Sequence, residues 1–193
     1  LLLDCFMEKL IVPTLQGMLV KDKVDKNVAV VIGASGGIGS AILSKLCLDN
    51  TYTDVVAVSR NISDVVKHRA FGDANVVSIE TDYTPESVES VVEQLSLFRG
   101  KISKVIICNG VLHDQEIWPE KRLEEITADN MVSIFTANSI VPMLFLKSLI
   151  SAVKGQEKCV IALLSARVSS LQDNRLGGWY SYRASKTALN MLV

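Results

Sequence analysis

Tyr182 and Lys186, near the end of the chain, are residues whose types and spacing suit proton transfer. On a predicted helix, two residues four positions apart lie on one face and approach each other. A nearby ammonium ion lowers the pKa of a phenol from its ordinary value of about 10 by stabilising the phenolate. The pair therefore predicts a proton donor for an alkoxide, with Lys186 lowering the pKa of Tyr182. Tyr180 is less suitable, because its spacing from Lys186 does not place both on one face.

The glycine-rich turn at residues 33–39 is the second candidate for chemistry. The apolar run Val28–Ile32 predicts a strand that leads into the turn, and a helical pattern begins at Ile38. Glycines at a helix N-terminus let a pyrophosphate approach backbone N–H groups, where the helix dipole attracts anions. Phosphate transfer by a P-loop is disfavoured, because Ser40-Ala41 stands where that motif has Lys-Ser/Thr. Dinucleotide binding is predicted, with a ligand-free turn as the alternative, at Gly33, Ser35, Gly36, Gly37, Ile38 and Gly39.

The residue that follows the second predicted strand indicates which coenzyme the turn accepts. In the NAD pattern an acidic residue about 20 positions beyond the glycines holds the ribose 2′-hydroxyl. Arg60 stands there instead, and a guanidinium ion binds phosphate but cannot accept a hydrogen bond. This favours NADP(H), with NAD(H) possible. The alternative is that Arg60 is a solvated residue at a strand end.

Two more segments at strand ends are candidates for coenzyme contact. Asp82 and Tyr83 follow the third predicted strand, where Asp82 can accept a hydrogen bond from an adenine amino group. Asn109 and Gly110 follow the fourth, where a glycine lets the backbone pass close to a ligand. The alternatives are a loop acid near a helix start and an ordinary turn.

From Asn27 onward, short β-branched runs alternate with helical patterns, which is typical of βαβ units. The predicted fold is a doubly wound parallel sheet in three α/β/α layers, a Rossmann fold. The predicted strands are Val28–Ile32, Val55–Ser59, Val76–Glu80, Lys104–Cys108 and Cys159–Leu164. The predicted helices are Ile38–Asp49, Pro85–Phe98, Ala128–Val153 and Tyr180–Val193, with a further short helix after Arg60.

Composition favours one domain and narrows the range of partners. The 193 residues are 49% hydrophobic and carry a formal net charge of -1, which argues against nucleic-acid or anionic-membrane binding. The four cysteines and two histidines lack metal-ligand spacing, so no metal site is expected. Residues 1–26 are expected to form an amphipathic leader ahead of a domain over 27–193, because charges, Pro13 and Gly17 interrupt their apolar run.

Taken together, these motifs resemble the short-chain dehydrogenase/reductase family, within which residues 165–186 are similar to the C-factor-like branch. The resemblance is carried by Gly33, Gly37, Gly39, Asn138, Tyr182 and Lys186. It implies hydride transfer between a nicotinamide and a small carbonyl or alcohol, with Lys186 also holding the nicotinamide ribose. It further implies a homodimer or homotetramer, and more sheet and a substrate-covering loop beyond Val193, so that the chain looks truncated. The spacing of the four cysteines fits free thiols in a reducing compartment, and a cytoplasmic location is expected.

Asn138 has a physical argument beside the resemblance. Pro142 has no N–H to donate to the carbonyl of Asn138, so the predicted helix Ala128–Val153 should bend and leave that carbonyl free. A free carbonyl can hold a water, and the resemblance makes Asn138 part of a proton relay through Lys186. The alternative is an ordinary helical asparagine on a polar face.

The resemblance also implies a catalytic serine that hydrogen-bonds the substrate oxygen. Ser165 is favoured, with Ser169 next and Ser170 third, although the alignment through Arg167 puts Ala166 at the expected position. That alanine motivates a second hypothesis, a non-catalytic dinucleotide-binding regulator or signalling protein of the same fold. The enzyme hypothesis requires residues 33–39 and 182–186 to converge on one nicotinamide ring.

Overall fold

The fold is a parallel β-sheet with helices on both faces. The computed structural model describes residues 27–61, 63, 72, 74–154 and 158–193. The expected leader at 1–26 and most of the segment after Arg60, where a short helix was expected, lie outside the described residues.

The sheet has five parallel strands in the order β3-β2-β1-β4-β5. The strands are β1 Val28–Ile32, β2 Asp54–Ser59, β3 Asn75–Glu80, β4 Ile102–Ile107 and β5 Val160–Leu163. Each begins and ends within two residues of its prediction. The chain crosses from β3 at one edge to β4 beside β1, so the loops after β1 and β4 meet at the carboxyl end of the sheet, where ligands bind in such folds.

Five α-helices are present in the described residues. They are α1 Gly37–Cys47, α2 Pro85–Leu95, α3 Ala128–Phe135, α4 Val141–Val153 and α5 Tyr180–Leu192. The start of α2 illustrates how local sequence determines a helix end: the hydroxyl of Thr84 accepts from the N–H of Ser87 and Pro85 occupies the first turn.

The core has two halves because successive strand residues point to opposite faces. Val28, Val30 and Ile32 of β1 pack with α2 and α4, whereas Ala29 and Val31 pack with α1 on the other face. All five residues are fully buried. The predicted doubly wound, three-layer arrangement is therefore confirmed.

The predicted helix Ala128–Val153 is divided by a π-helical turn at Thr136–Ile140, where the N–H of Val141 donates to the carbonyl of Thr136. Pro142 follows immediately, so the wide turn lies where a proline removes a regular helical hydrogen bond. By length and hydropathy this segment could cross a membrane. Phe145 and Leu149 are fully buried in the core, and this core packing explains the apolar character of the segment.

Candidate active site

The glycine turn after β1 depends on two glycines that pack against backbone. Gly33 has φ +82°, and a Cβ there would lie 2.7 Å from the backbone nitrogen of Asn109. A Cβ on Gly39 would overlap the carbonyl oxygen of Gly33. These glycines therefore let α1 and the loop after β4 approach the end of β1 closely.

The N-terminus of α1 offers its backbone donors to a ligand. Gly36 is the N-cap and provides no side-chain acceptor, and residues 36–38 are exposed. A Cβ on Gly37 would meet nothing within 4 Å. Ser35 accepts a hydrogen bond from the hydroxyl of the buried Ser59, which fixes the turn to the end of β2. An open helix N-terminus of this kind suits an anion.

Arg60, at the end of β2, lies beside Tyr83 at the end of β3. Its guanidinium carbon is 5.7 Å from the centre of the Tyr83 ring, a distance at which a cation interacts with an aromatic face. Both residues line a cleft of about 150 Å³ that Gly33, Ser35 and Gly36 also line. Arg60 is exposed and adds positive charge beside the glycine turn.

Asp82 is exposed next to this cleft and is held by the turn that starts α2. Its Oδ1 atom accepts from the N–H and the hydroxyl of Thr84, at 2.9 and 2.7 Å. These bonds lower the pKa of Asp82, and the bond from the backbone N–H of Thr84 has the larger effect. Asp82 is therefore an ionised acceptor, and it also supports the start of α2.

Asn109 and Gly110 connect the two motifs that lie far apart in the chain. Asn109 lies against Gly33, as described above. On the other side, a Cβ on Gly110 would lie 3.0 Å from both Nζ of Lys186 and Oδ1 of Asn138. The glycine turn and the Lys186 side chain therefore flank one short loop at the carboxyl end of the sheet.

The side-chain oxygen of Asn109 is buried without a hydrogen-bond partner. Its amide nitrogen donates to the carbonyl of Ala137 at 3.3 Å. Asn109 lines the same cleft as Gly33 and Arg60. Since an unsatisfied buried acceptor is costly, this atom indicates a donor supplied by a ligand in the cleft.

Asn138 is fully buried in the π-helical turn and joins three elements. Its side chain accepts from the N–H of Val111 at 2.6 Å and donates to the carbonyl of Val111 at 2.9 Å. It also donates to the hydroxyl of Ser185 in α5 at 3.1 Å. The side chain thus fixes the loop after β4 to the helix that carries Tyr182 and Lys186.

Lys186 is 4% exposed, and its Nζ donates to the carbonyl of Leu164 at 2.9 Å. Burial lowers its pKa, because removal from water disfavours the charged form. Tyr182, half-buried, has its ring edge-on to that of Trp179, and burial raises its pKa. Desolvation therefore shifts the pKa of Tyr182 in the direction opposite to the one expected from Lys186.

The two leading candidate serines differ in their surroundings. Ser165 is exposed just after β5. Ser169 is 6% exposed; its hydroxyl donates to the carbonyl of Ala166 at 2.6 Å and accepts from Asn190 at 2.7 Å. The two hydroxyl oxygens are 3.5 Å apart. Ser165 is thus accessible to a substrate, whereas Ser169 holds α5 to the loop. Ser170 is partly exposed, and its hydroxyl accepts from the N–H of Asp173.

Glu120 is a residue that sequence reasoning missed. It is 4% exposed, and its carboxylate accepts from the hydroxyl and the N–H of Ser181 in the first turn of α5. Its carbonyl accepts from the N–H of Trp179, the N-cap residue, which has left-handed backbone geometry and no side-chain cap. Because Glu120 lies 61 residues before Ser181, no local pattern indicates this contact.

A parallel sheet with a glycine turn, an open helix N-terminus and a buried lysine at its carboxyl edge defines the class of dinucleotide-binding α/β proteins. The sequence model of the short chain dehydrogenase family matches residues 27–193. The chain belongs to that family, as the motifs indicated.

Known relatives fit this placement. The chain is 29% identical over 168 residues to the 1-hydroxy-2-glutathionyl-2-methyl-3-butene dehydrogenase of Rhodococcus sp. (strain AD45), covering 84% of this chain and 66% of that protein. It is 32% identical over 71 residues to the C-signal protein of Myxococcus xanthus, covering 37% and 43% of the two chains. The chain therefore spans less than two thirds of either relative.

A solved structure of an alcohol dehydrogenase from Thermococcus sibiricus, complexed with 5-hydroxy-NADP, shares the fold. Its TM-score is 0.74 at 24% identity, over 87% of this chain and 68% of that one.

Proposed function

We propose that this protein is an NADP(H)-dependent oxidoreductase that interconverts a small carbonyl compound and the corresponding alcohol. The observation that carries the proposal is the loop of Asn109 and Gly110, which has the glycine turn on one side and Nζ of Lys186 on the other. The exposed N-terminus of α1, which suits an anion, and the buried ammonium group of Lys186 therefore lie at one edge of the sheet.

The residues of the cleft fit a dinucleotide. The exposed N-terminus of α1 suits a pyrophosphate, and the unsatisfied oxygen of Asn109 requires a donor. The phosphates would be held by the turn residues Gly33, Ser35, Gly36, Gly37, Ile38 and Gly39. The adenine would be contacted by Asp82 and Tyr83. Arg60 would bind a 2′-phosphate, which favours NADP(H) over NAD(H). When bound, the coenzyme supplies or accepts the hydride.

The chain's own side chains handle the proton. Tyr182, whose pKa is raised by burial, donates its proton to the alkoxide oxygen as the carbonyl is reduced. Ser165 donates a hydrogen bond to the same oxygen and polarises the carbonyl. Lys186 uses one of its three N–H donors on the carbonyl of Leu164. Two donors are left to hold ribose hydroxyls. Asn138 fixes the helix that carries Lys186 to the loop after β4, and its backbone carbonyl is proposed to hold the relay water.

The relatives support this proposal. The Rhodococcus protein is a dehydrogenase by name, and the Thermococcus structure holds an NADP derivative. The non-catalytic regulator is not favoured, because Tyr182, Lys186 and Asn138 are all present. By family we also propose a cytoplasmic protein that forms a homodimer or homotetramer.

The test is NADPH oxidation with a panel of aldehydes and ketones, for the wild-type protein and for Tyr182→Phe. The variant should bind NADPH normally and lose turnover by a factor of about 10² to 10⁴, the usual contribution of a general acid. Tyr180→Phe is the matched control and should keep its turnover. Unchanged turnover in Tyr182→Phe rejects the assignment of the proton donor. NADPH binding without turnover anywhere on the panel would instead favour the regulator.

A further inference from the structure

A second cleft, of about 650 Å³, lies between the loop that precedes α5 and residue 121. Its polar lining residues include Lys121, Arg167, Asp173, Arg175 and Arg183, and Trp179 provides an aromatic surface. We call it the basic cleft. The mechanism proposed above uses none of these side chains.

The charge of the basic cleft is strongly one-sided. Four cationic side chains, Lys121, Arg167, Arg175 and Arg183, line it against one carboxylate, Asp173. The whole chain has a net charge of -1, so this excess of positive charge does not follow from composition. A concave surface with charge of one sign concentrates ligands of the opposite sign.

The cations of the basic cleft have no acidic partners in the part of the chain that the structure describes. The one ion pair recorded there joins Arg122 and Glu125, outside the cleft lining. Arg183 donates from its guanidinium to the carbonyl of Gly178 at 3.0 Å, which orients it without neutralising it. A guanidinium held in this way retains donors for a bidentate contact with a carboxylate or phosphate.

The basic cleft adjoins the proposed catalytic residues. Trp179 lines it and has its ring edge-on to that of Tyr182, with centroids 6.3 Å apart. Arg183 follows Tyr182 directly in α5, and Arg167 begins the short turn two positions after Ser165. A molecule that reaches Tyr182 and Ser165 with its carbonyl can therefore extend into the cleft.

We infer that the substrate carries an anionic substituent, a carboxylate or phosphate, which the basic cleft binds while the carbonyl lies at Tyr182. This inference rests on the proposed function and narrows its substrate class. Trp179 and the apolar Val168 and Leu176 accept the carbon skeleton between the two ends. Recognition by several cations in one concave site distinguishes such substrates from neutral carbonyl compounds of the same shape.

The experiment compares three aldehydes that share one ring and one carbonyl: para-formylbenzoate, para-formylphenyl phosphate and methyl para-formylbenzoate. Their dissociation constants are measured by calorimetry at low salt without turnover, and kcat/KM is measured separately with NADPH. At least one anionic probe should bind about tenfold more tightly than the neutral ester, as expected for a charge-assisted hydrogen bond. Which anion binds better identifies the substituent, and the preference should shrink as salt is raised.

Two sets of variants locate the effect. Arg167→Gln with Arg175→Gln, and separately Lys121→Gln, should reduce the preference for the anionic probe several-fold and leave binding of the ester unchanged. Lys101→Gln is the matched control for Lys121→Gln, because Lys101 is also an exposed lysine but precedes β4 outside the basic cleft. Circular dichroism of each variant checks that it is folded.

Equal binding of all three probes, or no binding of the anionic ones, overturns the inference. A preference that survives the cleft variants, or that falls equally in Lys101→Gln, overturns the assignment to this cleft. Because binding is measured without turnover, failure of this inference can be distinguished from failure of the proposed function. In that case no aldehyde is reduced, although the anionic probe still binds through the cleft.

Discussion

The carboxylate of Glu120 accepts hydrogen bonds from both the hydroxyl and the backbone N–H of Ser181, one residue before Tyr182. A helix normally begins with a neighbouring Ser, Thr, Asp or Asn that caps its free N–H groups. At α5 the N-cap is Trp179, which has no capping side chain. Glu120 supplies the acceptor from a distant loop, and its negative charge is favourable at the positive end of the helix dipole.

Replacing Glu120 should therefore destabilise the helix that carries the proposed proton donor. In Glu120→Gln an amide group replaces one acceptor oxygen, so one donor of Ser181 loses its partner in a buried site. The free energy of unfolding should fall by about 1–2 kcal/mol, measured by urea denaturation. Glu124→Gln, at an exposed position nearby, should leave stability unchanged. Equal losses in the two variants would show that Glu120 does not act as a cap.

Arg60 should determine the choice of coenzyme. Arg60→Asp replaces a phosphate-binding cation with a ribose-binding anion, so NADPH affinity should fall by about tenfold or more, while NADH affinity is kept or rises. Fluorescence titration with each coenzyme measures both constants. Lys101→Asp, which makes the same charge change away from the cleft, should affect neither. Similar affinities of the wild-type protein for NADPH and NADH would refute the assignment.

Substitutions at two glycines of the turn should have different effects, one on stability and the other on NADPH binding. Gly39→Ala places a Cβ against the carbonyl of Gly33 and should lower the free energy of unfolding by about 1–3 kcal/mol, the usual cost of overpacking. Gly37→Ala meets open space, so it should keep full stability and weaken NADPH binding by crowding the phosphate. Denaturation and coenzyme titration of both variants check this. Weakened folding in Gly37→Ala would contradict the structure.

The two serines should respond in opposite ways. Ser165→Ala should keep its stability and lose turnover by about 10² or more, as expected for loss of a donor to the reacting oxygen. Ser169→Ala leaves the amide of Asn190 without its acceptor and should cost about 1–2 kcal/mol of stability, with a smaller effect on turnover. Turnover lost in Ser169→Ala alone would transfer the catalytic role to Ser169.

The pKa of Tyr182 predicts a particular pH dependence. Because burial raises this pKa, the phenol stays protonated below the ordinary value of about 10. The rate of carbonyl reduction should therefore not decrease near neutral pH as a result of Tyr182 ionisation. The rate of the reverse oxidation should increase toward alkaline pH. Any stability linked to the raised pKa is present below the unfolded-state value and is lost as pH rises through the folded-state value.

Ultraviolet difference titration of the wild-type protein against Tyr182→Phe isolates the ionisation of this phenol. A Tyr182 that ionises near neutral pH in the free protein would contradict the effect of burial.

The strands, most helices and the proposed coenzyme chemistry could be predicted from local patterns, since apolar periodicity, glycine and proline act on neighbouring residues. Pro142 illustrates this: it predicted a bend in one long helix, and the structure has a π-helical turn just before it. The form of that turn was not predictable. It also brings the side chain of Asn138 to Val111 and Ser185, contacts that depend on three packed elements.

What the sequence alone determined was the family, the parallel sheet and the set of candidate residues, because each of these follows from residue type and spacing along the chain. Tertiary structure decided how those residues are surrounded. It buried Tyr182 enough to raise its pKa, gave Ser165 the exposure that Ser169 lacks, and placed Glu120 under α5. Burial and long-range hydrogen bonds depend on segments that meet only after folding, so they leave no signature in the local sequence.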